Sequence, residues 1–399
     1  MTITTSTSSS TNENDTKGSS TSIEYVNRYA NESSQATLLQ LVGSTLGRQL
    51  AVLLQNSNKD VPIHATSLFS CPLDEALVEC HLQYSGNHFN DDDTVAQLHE
   101  YTLPPFGIYP SPHGRSRVGH LYVCHLQAFW QALAQTSGLT ISLRKVRGIN
   151  AHHIIEASFK AFSRAVRNLL DGTNTTDTIV SIYDTNSPNE QASIQLQRCA
   201  SVQRTTKETG ISIAVQFDAG KGGCDVQTGL TALDTFFTVL ANHAKMSLQC
   251  QCHGDVWIDE HHTAEDVAIA VGQAIQQALG TKAGLNRMWS CTATCGTSKI
   301  QVVMDLSNRP YLTHNVDSLK AHEMVGDLPV EMLEHVLDSI VVNSRMTVHI
   351  VEVQQASEDH VHDTMNAIAM AFGQALLYCA MVDSRRAGKT ASSKGTLSV

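Results

Sequence analysis

Apolar residues recur at helical spacing in two long stretches that can be laid side by side. These are SSQATLLQLVGSTLGRQL, beginning at Ser33, and HHTAEDVAIAVGQAIQQAL, beginning at His261, with Gly43 falling against Gly272. Strand-like alternation follows in each: CPLDEALVECHLQYSGN from Cys71 matches TCGTSKIQVVMDLSNR from Thr294, with Ser85 against Ser307. Then GLTISLRKVRGINAHHIIEASFKAFSRAV from Gly138 matches RMTVHIVEVQQASEDHVHDTMNAIAMAF from Arg345, a strand running into a second helix. The order is the same both times, so residues 23–172 and 195–385 read as tandem copies of one unit. Between them, residues 173–194 lie within DGTNTTDTIVSIYDTNSPNEQ, whose Gly, Asn, Thr and Pro mark a linker. Copy one lacks the opening strands that copy two has as SIAVQFDAG and CDVQTGL, and is truncated by comparison. Helical stretches such as TALDTFFTVLANHA and HLQAFWQALAQTSG precede short strands without a regular βαβ rhythm. That mixture predicts an α+β fold with helices on one face of each sheet.

Composition narrows the partners. A formal net charge of -11 over 399 residues, with no basic stripe, argues against nucleic acid. No apolar run reads as long enough to span a bilayer, so a soluble chain with no membrane partner is expected. Ten cysteines without a CxxC pair suit a reducing compartment better than secretion. The Ser/Thr-rich opening, residues 1–22, has Glu13 and Asp15 and no Arg, which reads as a disordered tail of a cytoplasmic chain, with plastid import as the alternative. Residues 386–399 read as a second mobile tail.

Candidate chemistry follows the pattern of differences between the copies. HHTAED supplies His261, His262 and Glu265, where copy one has ESSQAT. HHIIE supplies His152, His153 and Glu156, where copy two has only the partial match DHVHD, with Asp359, His360 and Asp363. Copy one keeps PLDEAL, with Asp74 and Glu75, against TCGTSK. Each half holds what the other has lost, so one composite site is the economical reading. Imidazole and carboxylate at i, i+3 and i+4 can share a helix face, and adjacent histidines diverge by about 100° and so reach two different ions. Such donors suit Mn, Fe, Zn or Ni. The competing reading, that these are ordinary helix-terminal histidines, fits a lone pair better than two matched arrays. Thr263 could equally be an N-cap with Asp266 as its capping partner.

On KETGI, TGLTALD, GDVWIDEHHTAEDVAIAVGQAI, DLSNRP and TVHI in copy two, and PLDEAL, YSG and RGINAHHIIEASFKAFSRA in copy one, the chain resembles the imidazoleglycerol-phosphate dehydratase family. The resemblance covers almost everything outside the tails. It implies a fold like the second domain of ribosomal protein S5 and two Mn2+ ions held by histidines and a glutamate from neighbouring subunits. It also implies a large homo-oligomer and removal of water from a small-molecule phosphate, an imidazole bearing a glycerol-phosphate chain. Carried over to this sequence, the metal shell is His261, His262, Glu265, His152, His153, Glu156 and His349. Glu208 is the proton-moving candidate, with Glu265 or Glu156 as substitutes. Arg287, Arg309 and Lys160 match phosphate-binding cations, and Asp74 and Glu75 order the site from behind. The departures are Thr235, where the family has a histidine, Ser142 opposite His349, and Asn87 opposite Arg309. They leave open two other readings: a non-catalytic paralogue co-assembling with related dehydratase subunits, and a metal-dependent enzyme acting on another phosphate ester.

Overall fold

The computed structural model describes residues 32–56, 61–62, 64–85, 96–172, 198–218, 223–355, 360–392 and 397. The tail 1–22, the linker 173–194, Asn87 and Asp359 lie outside the described residues.

Alternation and helical spacing produce the expected α+β elements, but the repeat is finer than two copies. After α1 (Glu32–Gln55), the first unit runs β1 (Thr66–Leu73), β2 (Ala76–Tyr84), β3 (Leu98–Thr102), α2 (Leu126–Ser137), β4 (Leu139–Arg147) and α3 (Ala151–Asp171). The second runs β5 (Cys199–Thr205), β6 (Thr209–Gln216), β7 (Cys224–Gln227), α4 (Thr231–Ala244), β8 (Ser247–Gly254) and α5 (His261–Leu279). The third runs β9 (Met288–Cys295), β10 (Ser298–Asp305), β11 (Tyr311–His314), α6 (Val330–Ser344), β12 (Thr347–Gln354) and α7 (Val361–Ala380). All three sheets have the same order, β1-β2-β4-β3, β5-β6-β8-β7 and β9-β10-β12-β11, with the last pair parallel each time. Copy two is thus a pair of units, and copy one is a single unit preceded by α1, the counterpart of α5. The matched serines sit alike: Ser85 Oγ lies 3.4 Å from Thr140 Oγ1, and Ser307 Oγ lies 2.9 Å from Thr347 Oγ1.

Helices pair across glycines. A Cβ on Gly272 of α5 would stand 2.8 Å from both Ile340 O and Asn343 Cβ of α6, and Gly43 and Gly373 approach Phe129 O and Leu240 O in the same way. Only a bare backbone lets these helices approach so closely. Gly272→Ala should therefore destabilise the chain by about 1–3 kcal/mol, because the added methyl must push α6 outward; an unchanged urea midpoint would contradict that packing.

By length and composition alone α1 could cross a membrane, and 22% of it is buried. The expectation that no run reaches that length is corrected to this extent, and α1 packs along α2 through Gly43 and Gly47. The first and third units share a seam. Phe69 and Trp289 meet edge to face at 6.1 Å, Cys71 Sγ lies 3.9 Å from Met288 Sδ, and Arg147 donates to Ile350 O at 2.9 Å. Of the expected second tail, residues 386–392 and Leu397 are described, and they are held to the third unit: Ala391 O accepts from Arg287, and Leu397 O accepts from Asn308 Nδ2 at 2.8 Å.

Candidate metal centre and phosphate cleft

Helix α5 begins at His261, whose N–H donates to Asp259 Oδ1 at 3.0 Å. Thr263 is therefore not the cap: it is the third residue of the helix, fully buried, and Asp266 accepts from Arg204 and Thr209 instead. The i, i+4 spacing places His261 Nε2 3.6 Å from Glu265 Oε2. A third group arrives from the neighbouring helix, with His335 Nε2 of α6 3.3 Å from Glu265 Oε1 and its ring 5.2 Å from that of His261. One donor atom from each of the three lies within 4.8 Å of the other two, the spacing of a cation's ligands. His335 Nε2 is shielded from solvent and, among the described residues, has no partner in hydrogen-bonding geometry.

His262 turns the other way. Its Nδ1 lies 3.3 and 3.4 Å from the two oxygens of buried Asp255, and its Nε2 lies 3.9 Å from Glu208 Oε1. A carboxylate only accepts, so Nδ1 carries a proton, and in the neutral form of the ring the lone pair left for an ion is on Nε2. The hydrogen bond to Asp255, aided by the charge of Glu208, raises the His262 pKa above its usual value.

The second array opens α3. Asn150 caps the helix, its Oδ1 accepting from His152 N at 2.9 Å and His153 N at 3.4 Å. Glu75, at the β1–β2 hairpin tip, accepts from Asn150 N at 2.9 Å and holds His153 Nδ1 at 2.7 Å. His153 is thereby oriented as Asp255 orients His262, and Glu75 stands behind an imidazole as expected of an ordering group. His152 Nε2 lies 3.2 Å from Glu156 Oε2, and Lys160 pairs with Glu156 Oε1 at 2.7 Å. Burial opposes the Glu156 charge, but Lys160 and His152 outweigh it and hold the carboxyl below its ordinary pKa. From the third unit, Arg309 Nε reaches Asp74 Oδ1 at 2.8 Å and His349 Nε2 lies 2.7 Å from Asp74 O. Among the described residues no hydrogen bond or ion pair joins the α3 array to the α5–α6 array within one chain.

The expected phosphate cations are dispersed. Lys160 and Arg287 line one cleft of about 900 Å³ between α3 and residues 386–392, together with Arg164, Arg386 and Lys389, whereas Arg309 is not part of its lining. Arg287 is 3% exposed and forks Asp305, with Nε to Oδ1 at 2.7 Å and Nη2 to Oδ2 at 2.8 Å. Thr235 Oγ1 bonds back to Thr231 O at 2.8 Å, and the ring of His243 lies 2.9 Å from Val239 O. Neither belongs to the three-donor cluster. His360 pairs loosely with Asp363 at 3.6 Å.

Sequence patterns missed His335 and Asp255. One signal for His335 was present: it stands ten residues before the left-handed cap Arg345, as Thr235 stands ten before Lys245. The α6 helix thus carries an imidazole at the position where α4 has Thr235.

The sequence profile of imidazoleglycerol-phosphate dehydratases matches residues 31–166 and 228–376. Imidazoleglycerol-phosphate dehydratase 1, chloroplastic, of Arabidopsis thaliana is 38% identical over 212 residues, 53% of this chain and 76% of that protein. The chloroplastic enzyme of Pisum sativum is 41% identical over 201 residues, 50% of this chain and 69% of that protein. The crystal structure of the Staphylococcus aureus dehydratase aligns with a TM-score of 0.41 and 27% identity, covering 46% of this chain and 99% of that one. The chain belongs to the imidazoleglycerol-phosphate dehydratase family, the hydro-lyases of histidine biosynthesis.

Proposed function

We propose that the chain dehydrates imidazoleglycerol phosphate to imidazole acetol phosphate at a composite site, in which the α3 array of copy one closes on the α5–α6 array of copy two. The observation that carries the reading is the shared orientation of the two arrays: a carboxylate holds Nδ1 of His153 and of His262, while each Nε2 stands beyond hydrogen-bond distance of its nearest carboxylate, 3.7 Å from Asp74 for His153 and 3.9 Å from Glu208 for His262. The counterpart positions match only in part: the start of α7 keeps His360 and Asp363 against His153 and Glu156 but has Asp359 in place of His152. Aligned through Gly43 and Gly272, α1 offers Glu32, Ser33 and Ala36 in place of His261, His262 and Glu265. Ten residues before the cap Gly138, α2 has Ala128 where α6 has His335. Trp257 and Ile258, 80% and 68% exposed just before His261, are the apolar surface that closure on another chain's α3 would cover.

The donor set fits Mn2+: His261, Glu265 and His335 converge, with His262, His152, His153 and Glu156 as the remaining ligands. Bound there, manganese would make the substrate's imidazole ring an electron sink. Lys160, which lines the cleft, holds the phosphate, and Glu208 removes the carbon-bound proton and delivers a proton to the departing hydroxyl.

Manganese-loaded chain should turn over the substrate, and His152→Ala or His262→Ala should each abolish turnover. Undiminished rates in both variants would defeat the composite site. His335→Ala should weaken manganese binding by at least the roughly 10–100-fold that loss of an outer-shell partner alone costs, read by equilibrium dialysis. Thr235, bonded back into its own helix, favours a second reading in which the chain tunes an intact dehydratase. That reading predicts no turnover alone and altered turnover on mixing.

A further inference from the structure

His349 is wholly buried on β12, where the β1–β2 hairpin tip of copy one meets copy two. A carbonyl only accepts, so the 2.7 Å contact with Asp74 O puts the ring proton on Nε2. Nδ1 is then bare, and it is buried with no hydrogen-bond partner among the described residues. Burial lowers the pKa of the ring to about 4, which keeps it neutral. Its one hydrogen-bonded ring nitrogen faces a backbone carbonyl across the seam, not the carboxylate-held imidazoles of either array.

What His349 does touch leads to the α3 array. The same tip is held through its side chain by Arg309, 2.8 Å from Asp74 Oδ1. The next residue, Glu75, uses one oxygen on the cap of α3 and the other on His153 Nδ1. Register places Ser142 at the corresponding point of β4 and Gln249 at that of β8, so of the three equivalent strands β12 alone has an imidazole at that point. It is also the strand on which copy one's tip is seated.

The geometry points to His349 as a positioning residue rather than a metal ligand: its Nε2–H seats the Asp74–Glu75 tip of copy one on copy two, and through Glu75 fixes the direction of His153. The kinetic consequence rests on the dehydratase reading, but the seating does not.

The test compares full-length wild type with His349→Gln, which keeps an N–H donor, and His349→Leu, which has none. Three quantities are read: manganese bound per chain at saturation, the 15N imidazole signal of His153, and kcat and KM separately. Both variants should bind as many ions as wild type. The Nδ1–H tautomer signal of His153 should persist in His349→Gln and be lost or averaged in His349→Leu. Where wild type turns over, kcat should fall tenfold or more in His349→Leu with KM little changed, and recover in His349→Gln. Loss of a bound ion in His349→Gln, or an unaltered His153 signal in a folded His349→Leu, would overturn the proposal. If His349→Leu does not fold, the ion count and His153 signal of His349→Gln still decide. A wild type without turnover counts against the dehydratase reading alone, because the imidazole signal still reports the seating.

Discussion

Exchanging Asp305 for asparagine should destabilise the chain by about 3–5 kcal/mol, the cost of leaving a buried partner charge unpaired. The side chains of Arg287 and Asp305 are 4% and 0% exposed, and their contact is a two-pronged fork at 2.7 and 2.8 Å. Without the carboxylate, the guanidinium stays buried with only neutral acceptors. Its remaining arm reaches Ala391 O, so the C-terminal segment lining the cleft should loosen with it. Urea denaturation should show the midpoint falling with the slope nearly unchanged, and limited proteolysis should begin after residue 386. If Arg287 instead serves mainly to bind phosphate, and the fork is incidental, Asp305→Asn would cost less than about 1 kcal/mol and mostly alter phosphate affinity. The fork and the 3% exposure favour the structural outcome.

Arg287 illustrates where sequence reading stops. Helical period and strand alternation are local signals, so the order of elements and the α+β class were legible. Burial is not local, and nothing in LNRMWS announces an arginine paired inside the protein. The same limit explains why two copies were read where three units and a lone helix stand, since β3, β7 and β11 are edge strands of four or five residues with little pattern of their own. At the candidate site, HHTAED and HHIIE were visible because paired histidines followed by a carboxylate form a pattern. His335 was not, because one polar residue in VEMLEHVLDSI reads as the exposed face of a helix. Asp255 lay in GDVWIDE, which reads as a loop, and its role exists only through its contact with His262. Thr263 looked like a cap because capping turns on where a helix starts, and that start lay two residues earlier.

Glu208→Gln should lower kcat by roughly 10²–10⁴-fold, the usual contribution of a positioned acid or base, with a small change in KM. Two glutamates occupy equivalent places, each immediately before the second strand of its hairpin: Glu75 before β2 and Glu208 before β6. Glu75 has both oxygens engaged, on Asn150 N and His153 Nδ1. The Glu208 carboxylate makes no hydrogen bond among the described residues, is half exposed, and stands 3.9 Å from His262 Nε2. Its backbone is nonetheless fixed, since Glu208 O accepts from Asp255 N at 3.2 Å and Glu208 N donates to Thr206 Oγ1 at 3.1 Å. A carboxylate on an anchored backbone with uncommitted oxygens can exchange a proton, whereas one holding two donors is set to orient them. Glutamine keeps the size and reach of Glu208 but cannot take up a proton, so binding should survive while the rate falls. Glu75→Gln should act differently, weakening manganese binding and disturbing the His153 tautomer before it changes any proton transfer. If Glu208→Gln left kcat within about threefold of wild type while Glu75→Gln removed activity and kept its metal, the two roles would have to be exchanged.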